Sequence, residues 1–387
     1  MSGSNSVNVV PDHLPRQGED KGTGEVEEQG TTDMTTQTHM QTHTHTHTLG
    51  DAVTPTVSLS INVARFDVPF MMQTIPHMVR SCNFPFAQRT LVLDLSVRRA
   101  QRRYQGIDDA ALNADLLRCC RQLIADGVMD SMVEIDFSDA SRRRINTAHF
   151  GRDIGHTHNF RGAPILGYLA GIDAATSDYF LHFDSDMLVH QAPGHSWISD
   201  GIALLGSAPD VFCVSPLPGP PALDGSLRAG PGTEQVFNQP VRYTRDPRGF
   251  YGFGWFSSRK FLMDMRRYRE ILPLKPRVRS LKHAVSAPLR RASPVVGWEV
   301  MISDRIYELG LLRAELDSAQ AWTLHTPDHG AAFIANLPEV IALVEQGWYP
   351  PTQAGDYDLR LDDWLAHIHA GSGTDAGATA AASAVVG

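Results

Sequence analysis

The chain has 387 residues, 42% of them apolar, and a net charge of −9 with four cysteines. That apolar share can build a sizeable core and excludes a disordered or fibrous chain, while the acidic balance gives no global attraction to nucleic acid or to an anionic membrane. Cys82, Cys119, Cys120 and Cys213 form no C-x-x-C pair, so neither a disulfide framework nor a zinc cluster is expected, and the lack of a leader pattern or an 18-residue apolar run predicts a cytoplasmic protein, at most peripheral at a membrane.

Residues 1–54 are rich in Gly, Thr, Gln, Glu and His and nearly devoid of aromatics, which predicts a disordered tail. Within it His39, His43, His45 and His47 alternate with threonine; low-complexity drift explains them better than metal chelation. Alternation of Val57, Leu59, Ile61 and Val63 then predicts a strand, and Pro69 opens a helix with Met71, Met72, Ile75, Met78 and Val79 on one face. A strand over 90–95 follows. Leu112, Leu116, Cys120, Leu123 and Ile124 recur at helical spacing over 108–126, closed by Gly127. Residues 131–136 read as a third strand, 163–174 as a helix with Pro164 in its first turn, and 179–184 as a fourth strand. This alternation implies an α/β fold, a mainly parallel sheet with helices on both faces, whose ligands bind beyond the carboxyl ends of the strands. Asp67, Asp94 and Asp184 fall at those ends. The last residues, 371–387, read as a second loose tail, leaving one domain over 55–370.

His182-Phe183-Asp184-Ser185-Asp186 closes the fourth strand. In extended backbone two carboxylates at that spacing project from one side, where a hard divalent cation, Mn2+ or Mg2+, could meet both and bridge them to a diphosphate. An Asp-x-Asp in a surface loop is common; one that ends a buried strand is a candidate phosphate and metal site.

Gly171-Ile172, Ala175, Asp178-Tyr179 and the Phe180 to Asp186 run together resemble the core of GT-A-fold glycosyltransferases, Rossmann-like enzymes, and especially the inverting family 2; the resemblance covers roughly 57–330. It implies that the loop after the first strand, Arg65 to Asp67, holds the nucleotide, that Asp94 contacts the base, and that Asp184 and Asp186 hold the metal and ribose. Two positions depart from the family: Pro-x-Tyr-Asn is here Ala64-Arg65-Phe66-Asp67, and the Arg-Asn before Gly-Ile is Tyr168-Leu169. Arg161, beside Gly162 at a predicted helix start, is the candidate to replace the missing charge on the donor phosphates, the alternative being an exposed loop arginine.

The resemblance also divides the domain into a nucleotide-sugar half, 55–190, and an acceptor half, 191–370. Phe250, Tyr251, Phe253, Trp255, Phe256 and Phe261 lie among three glycines in 249–261, a mixture that could stack on a sugar ring or simply fill a core. Trp255 and Trp298 are the acceptor-wall candidates. Trp298-Glu299 resembles the segment carrying the family's catalytic acid residue, with Glu299 as the base, kept ionised at a helix start by backbone amides and the helix dipole, and Asp304 as its competitor. A short strand over 321–325 ends in His325, which the resemblance makes the third metal ligand, preferred to His329 because the strand fixes its position. Lys275, Arg277, Arg279, Lys282, Arg290 and Arg291 occur without an acid, either a solvated loop or a site for an anionic acceptor.

These residues together imply a metal-dependent transferase that moves a sugar from a nucleoside-diphosphate sugar to an acceptor hydroxyl of a saccharide, lipid or small molecule, with inversion. A sugar-phosphate nucleotidyltransferase would show a Gly-rich basic loop after the first strand, which Ala64-Arg65-Phe66-Asp67 is not. A non-catalytic nucleotide-sugar-binding protein would not need Asp184, Asp186, Glu299 and His325 together.

Overall fold

The structure is a computed structural model, which describes residues 54–96, 108–228, 243–280, 282, 285 and 293–370. Both predicted tails, with the histidine and threonine repeat, and most of the basic segment beyond residue 280 lie outside the described residues.

Among the described residues twelve strands and eight α-helices follow one another as β1 Val57–Ala64, α1 Val68–Cys82, β2 Gln88–Asp94, α2 Asp109–Ala125, β3 Ser131–Glu134, α3 Asp139–Phe150, α4 Leu166–Ala174, β4 Tyr179–Asp184, β5 Met187–Gln191, α5 Trp197–Ser207, β6 Val211–Ser215 and β7 Leu217–Pro218. The second half adds β8 Thr244–Asp246, β9 Phe250–Phe253, β10 Lys260–Asp264, α6 Met265–Glu270, α7 Trp298–Glu308, β11 Leu312–Leu316, β12 Ala321–His325 and α8 Ala331–Glu345. Nine strands form one sheet in the order β3-β2-β1-β4-β10-β6-β11-β9-β8, and β5-β12-β7 form a second. The expected α/β class is observed, with its parallel part concentrated in β3-β2-β1-β4. Beyond β4 the sheet is mixed, because β10 enters antiparallel between β4 and β6.

Both faces of β1 are buried. Val57, Leu59, Ile61 and Val63 share a core with apolar residues of α1 and α2, while α4 covers the opposite face together with Val92 and Phe180. Gly171 permits that close approach, since a Cβ there would sit 2.7 Å from Ser60 Oγ. A third apolar cluster joins Leu188, Trp322 and Leu324 of the small sheet to Phe333, Leu337 and Val340 of α8.

Local chemistry sets the helix ends. Asp108 caps α2 by accepting from the N–H groups of Ala110 and Ala111, and Gly127 beyond its other end takes φ +70°. The helix predicted from residue 163 starts at Leu166 instead, because Pro164 forms a β-bridge with His158 and Asn159 Oδ1 accepts from the N–H groups of Arg161 and Ala163. Helix α3 was not predicted: three consecutive arginines obscure its short apolar stripe of Ile145 and Phe150, although Ser138 caps it and Gly151 ends it with φ +69°. Among the described residues no helix is long and apolar enough to cross a membrane.

Candidate functional site

The register of β1 pairs Ala64 with Asp94 and Asn62 with Asp184, which lines up the carboxyl ends of β2, β1 and β4 on one edge. Strand β4 stops at Asp184, and Ser185 and Asp186 make a turn into β5. The two aspartates therefore do not project from a continuous extended strand, as expected from their spacing. Tertiary hydrogen bonds fix the turn: Thr74 Oγ1 donates to Ser185 O at 2.7 Å, and Thr326 Oγ1 to Asp186 O at 2.8 Å.

From this turn the carboxylates reach different partners. Asp184 Oδ1 lies 3.2 Å from His182 Nε2. Asp186 Oδ2 lies 3.5 Å from His325 Nε2 and 3.6 Å from His329 Nε2, while its Oδ1 is buried without a hydrogen-bond partner. His325 ends β12 as the strand pattern implied, and its Nδ1 meets Asp358 Oδ1 at 2.7 Å. His329, ranked second from sequence, stands equally near Asp186 because its ring packs on Phe70 at 4.4 Å. Burial pulls His329 below the ordinary histidine range, with Asp186 opposing and His325 reinforcing that shift.

On the β1 side, Asp67 accepts from Ala64 N–H at 2.7 Å. Burial, opposed by that hydrogen bond and reinforced by the charges of Asp186 and Asp184, pushes the Asp67 carboxyl from 3.8 up to about 7. Asp94 is buried and accepts from Ser96 N–H at 2.9 Å. Arg65 is placed differently from the nucleotide contact expected of it. Only 3% exposed, it donates from Nη1 to Ser96 O at 2.6 Å and sets Nε 2.8 Å from Asp109 Oδ1, bracing the loops that follow β1 and β2.

The opposite wall comes from α7 and the segment before β10. Glu299 stands in the first turn of α7, and its Oε1 accepts from Ser258 N–H at 3.3 Å. Burial pushes its carboxyl up, against the pull of Arg259 and the Ser258 amide and with the help of Asp184. The amide contribution acts in the expected downward direction, but desolvation is the larger effect and the net shift is upward. Asp304 is turned elsewhere, with both carboxylate oxygens 2.9 Å from Arg277 Nη1.

Arg259 was not singled out from the sequence. Its carbonyl accepts from Asp184 N–H at 2.8 Å. Burial works against its charge, yet Tyr357, Asp186, Asp184 and Asp358 together hold the guanidinium above its ordinary range. It lay hidden in a stretch conspicuous for aromatic rings, and only the pairing of Lys260 with Phe183 brings it to the aspartates. Tyr168, where the family resemblance has arginine, lies near Asp184: burial drives its phenol well up, and the charge of Asp184 adds to this.

Trp298, expected on an acceptor wall, is 2% exposed and belongs to the core. Its indole stacks on Tyr168 at 5.1 Å and meets Phe256 edge-on at 5.2 Å, so no face is left for a sugar. Trp255 is half-buried, with the Arg313 guanidinium 4.2 Å from its ring centre. Arg161 lies against Phe160 at 5.3 Å, and its guanidinium is lowered by burial and then by Arg279, with Glu299 opposing. Among the described residues no group of three or more His, Cys, Asp or Glu side chains is arranged to hold a metal ion.

No family model matches the sequence, and neither does any curated protein. Among solved structures, the chain is similar to GalNAc-T7 with UDP, GalNAc and Mn2+, at 12% identity over 71% of this chain and 44% of that one with a TM-score of 0.39. It thus spans less than half of GalNAc-T7. It is also similar to the mannosyltransferase PcManGT from Pyrobaculum calidifontis in complex with GDP-Man and Mn2+, at 12% identity over 86% of this chain and 76% of that one with a TM-score of 0.40. A third is the galactosyltransferase LgtC in complex with donor and acceptor sugar analogues, at 9% identity over 74% of this chain and 95% of that one with a TM-score of 0.34. All three are glycosyltransferases. The α/β class expected from the sequence is observed, with strand order β3-β2-β1-β4, then an antiparallel β10, and the Asp-x-Asp at the carboxyl end of β4.

Proposed function

We propose that this chain is a glycosyltransferase that moves a sugar from a nucleoside-diphosphate sugar to an acceptor hydroxyl, with inversion and with Mn2+ or Mg2+ as cofactor. The observation that carries the reading is the convergence at the end of β4: Asp184 and Asp186 on the turn, His325 and His329 at Asp186, and the charge of Arg259 beside them.

The residues fit a divalent cation. Asp186 keeps a buried, unpartnered Oδ1, and its other oxygen faces two imidazole nitrogens. Oxygen and imidazole donors suit Mn2+, and such ions commonly take their remaining ligands from substrate phosphates and water, so a preformed group of three protein ligands, which is not found among the described residues, is not required. Asp186 and His325 would hold the ion, with Asp184 and His329 adjacent. When bound, it supplies positive charge for the leaving diphosphate.

The rest is the work of the chain itself. Arg259 adds fixed positive charge where the diphosphate departs. Asp67 and Asp94 border the nucleotide side, Arg161 is kept as a donor-phosphate candidate, and Trp255 borders the acceptor side. Glu299 takes the proton of the acceptor hydroxyl as its oxygen bonds to the anomeric carbon and the bond from that carbon to the diphosphate breaks. A carboxylate whose proton affinity is raised by burial accepts that proton more readily. In this reading 55–190 is the donor half and 191–370 the acceptor half, with Arg259 and His325 of the second half reaching the donor diphosphate.

The test is thermal stabilisation of the purified chain by a panel of nucleotide-sugars with and without Mn2+. At least one donor should raise Tm only with the metal, and Asp186→Ala should abolish that rise while leaving the metal-free Tm near the parent value. Equal stabilisation of the variant would remove Asp186 from the site.

A further inference from the structure

We infer that Asp358 is a positioning residue that sets the tautomer and the aim of His325; the inference rests on the reading of His325 as a metal-holding residue. The chain after α8 returns to the end of β12. His325 N–H donates to Tyr357 O at 2.9 Å and Leu359 N–H to His325 O at 2.8 Å, so residues 357–359 pair alongside the histidine in a parallel bridge. Asp358 is thereby locked beside the imidazole, and its Oδ1 meets Nδ1 at 2.7 Å with both residues buried.

Gln353 clasps the returning segment. Wholly buried, it donates from Nε2 to Asp356 O at 2.9 Å and Asp358 O at 3.0 Å. Its Oε1 accepts from Arg360 N–H at 2.9 Å and Trp364 Nε1–H at 3.0 Å. Every hydrogen-bonding group of the amide is used, so the placement of Asp358 is specified and not incidental.

The chemical consequence follows from what a carboxylate can do. It only accepts, so the proton of the neutral imidazole resides on Nδ1 and the lone pair on Nε2. Nε2 then faces Asp186 Oδ2 across 3.5 Å, two electron-pair donors turned toward one another. That arrangement suits a cation and would be lost in the other tautomer, which puts a proton on Nε2.

The experiment uses the full chain labelled with 15N-histidine, without metal and at a pH where the imidazole is neutral, with the His325 signals assigned by their loss in His325→Gln. Two-bond nitrogen–proton correlations should show Nδ1–H in the parent. Asp358→Ala should lose that single tautomer and weaken Mn2+ binding, measured with the metal alone, by about 10 to 100-fold. Asp358→Asn, whose amide still offers an acceptor oxygen, should recover the Nδ1–H form and part of the affinity, and it carries the test if the Ala variant does not fold. Retention of the Nδ1–H tautomer with unchanged Mn2+ affinity in Asp358→Ala would overturn the inference. Unchanged Mn2+ affinity in His325→Ala would instead overturn the reading of His325 as a metal-holding residue while the tautomer change in Asp358→Ala still stood, so failure of that reading and failure of the Asp358 assignment give different results.

Discussion

Ser258 donates its backbone N–H to Glu299 Oε1 across 3.3 Å, tying the segment before β10 to the first turn of α7. This bond fixes the direction of the carboxylate, and burial leaves it a stronger base than an exposed glutamate.

Glu299→Gln keeps the shape and removes the proton acceptor. Turnover should fall by roughly 100-fold or more, with donor and metal binding nearly unchanged. Asp304→Asn should leave turnover within a few-fold, since that carboxylate is engaged by Arg277 on a half-exposed surface and its loss costs at most about 1 kcal/mol of stability. Steady-state kinetics of the two variants decide the matter. Loss of turnover in Asp304→Asn with retention in Glu299→Gln would reassign the base.

Asp67 makes the metal-free stability depend on pH. Its carboxyl holds its proton up to about pH 7 in the folded chain, against an ordinary value of 3.8, so folding takes up a proton between those values. Stability therefore falls as pH rises through that window and is level, as far as this group is concerned, above it. Asp67→Asn should raise Tm at pH 8 in EDTA and have little effect near pH 4. A pH profile of Tm parallel to the parent's would show that Asp67 is ionised throughout.

Trp298 and Trp255 should separate cleanly. Trp298→Ala empties a core position between Tyr168 and Phe256 and should cost about 3–5 kcal/mol in denaturant unfolding. Trp255 is only half-buried, so its replacement by Ala should cost distinctly less stability and register in acceptor KM. Equal destabilisation by the two would place Trp255 in the core as well.

The sequence by itself determined the parallel strand-helix core and the edge on which its acids gather. Alternation at Val57, Leu59, Ile61 and Val63 and the 3.6-residue spacing of α1 and α2 are written in neighbouring residues, and the geometry of such a sheet then puts Asp67, Asp94 and Asp184 at the carboxyl ends. His325 was legible for the same reason, as the last residue of an apolar strand.

What the tertiary structure alone decided concerns residues whose partners lie far along the chain. Arg259 reaches Asp184 through the insertion of β10 beside β4, Asp358 reaches His325 through the return of the segment after α8, and Arg65 turns inward because Asp109 and Ser96 wait for it. Desolvation is likewise a property of packing. It drew Trp298 into the core and outweighed the expected shift at Glu299, where the local helix start favoured the charged form and the surrounding protein favoured the neutral one. Periodicity and capping act over one or two turns of chain, whereas strand register and burial are set only when distant segments meet.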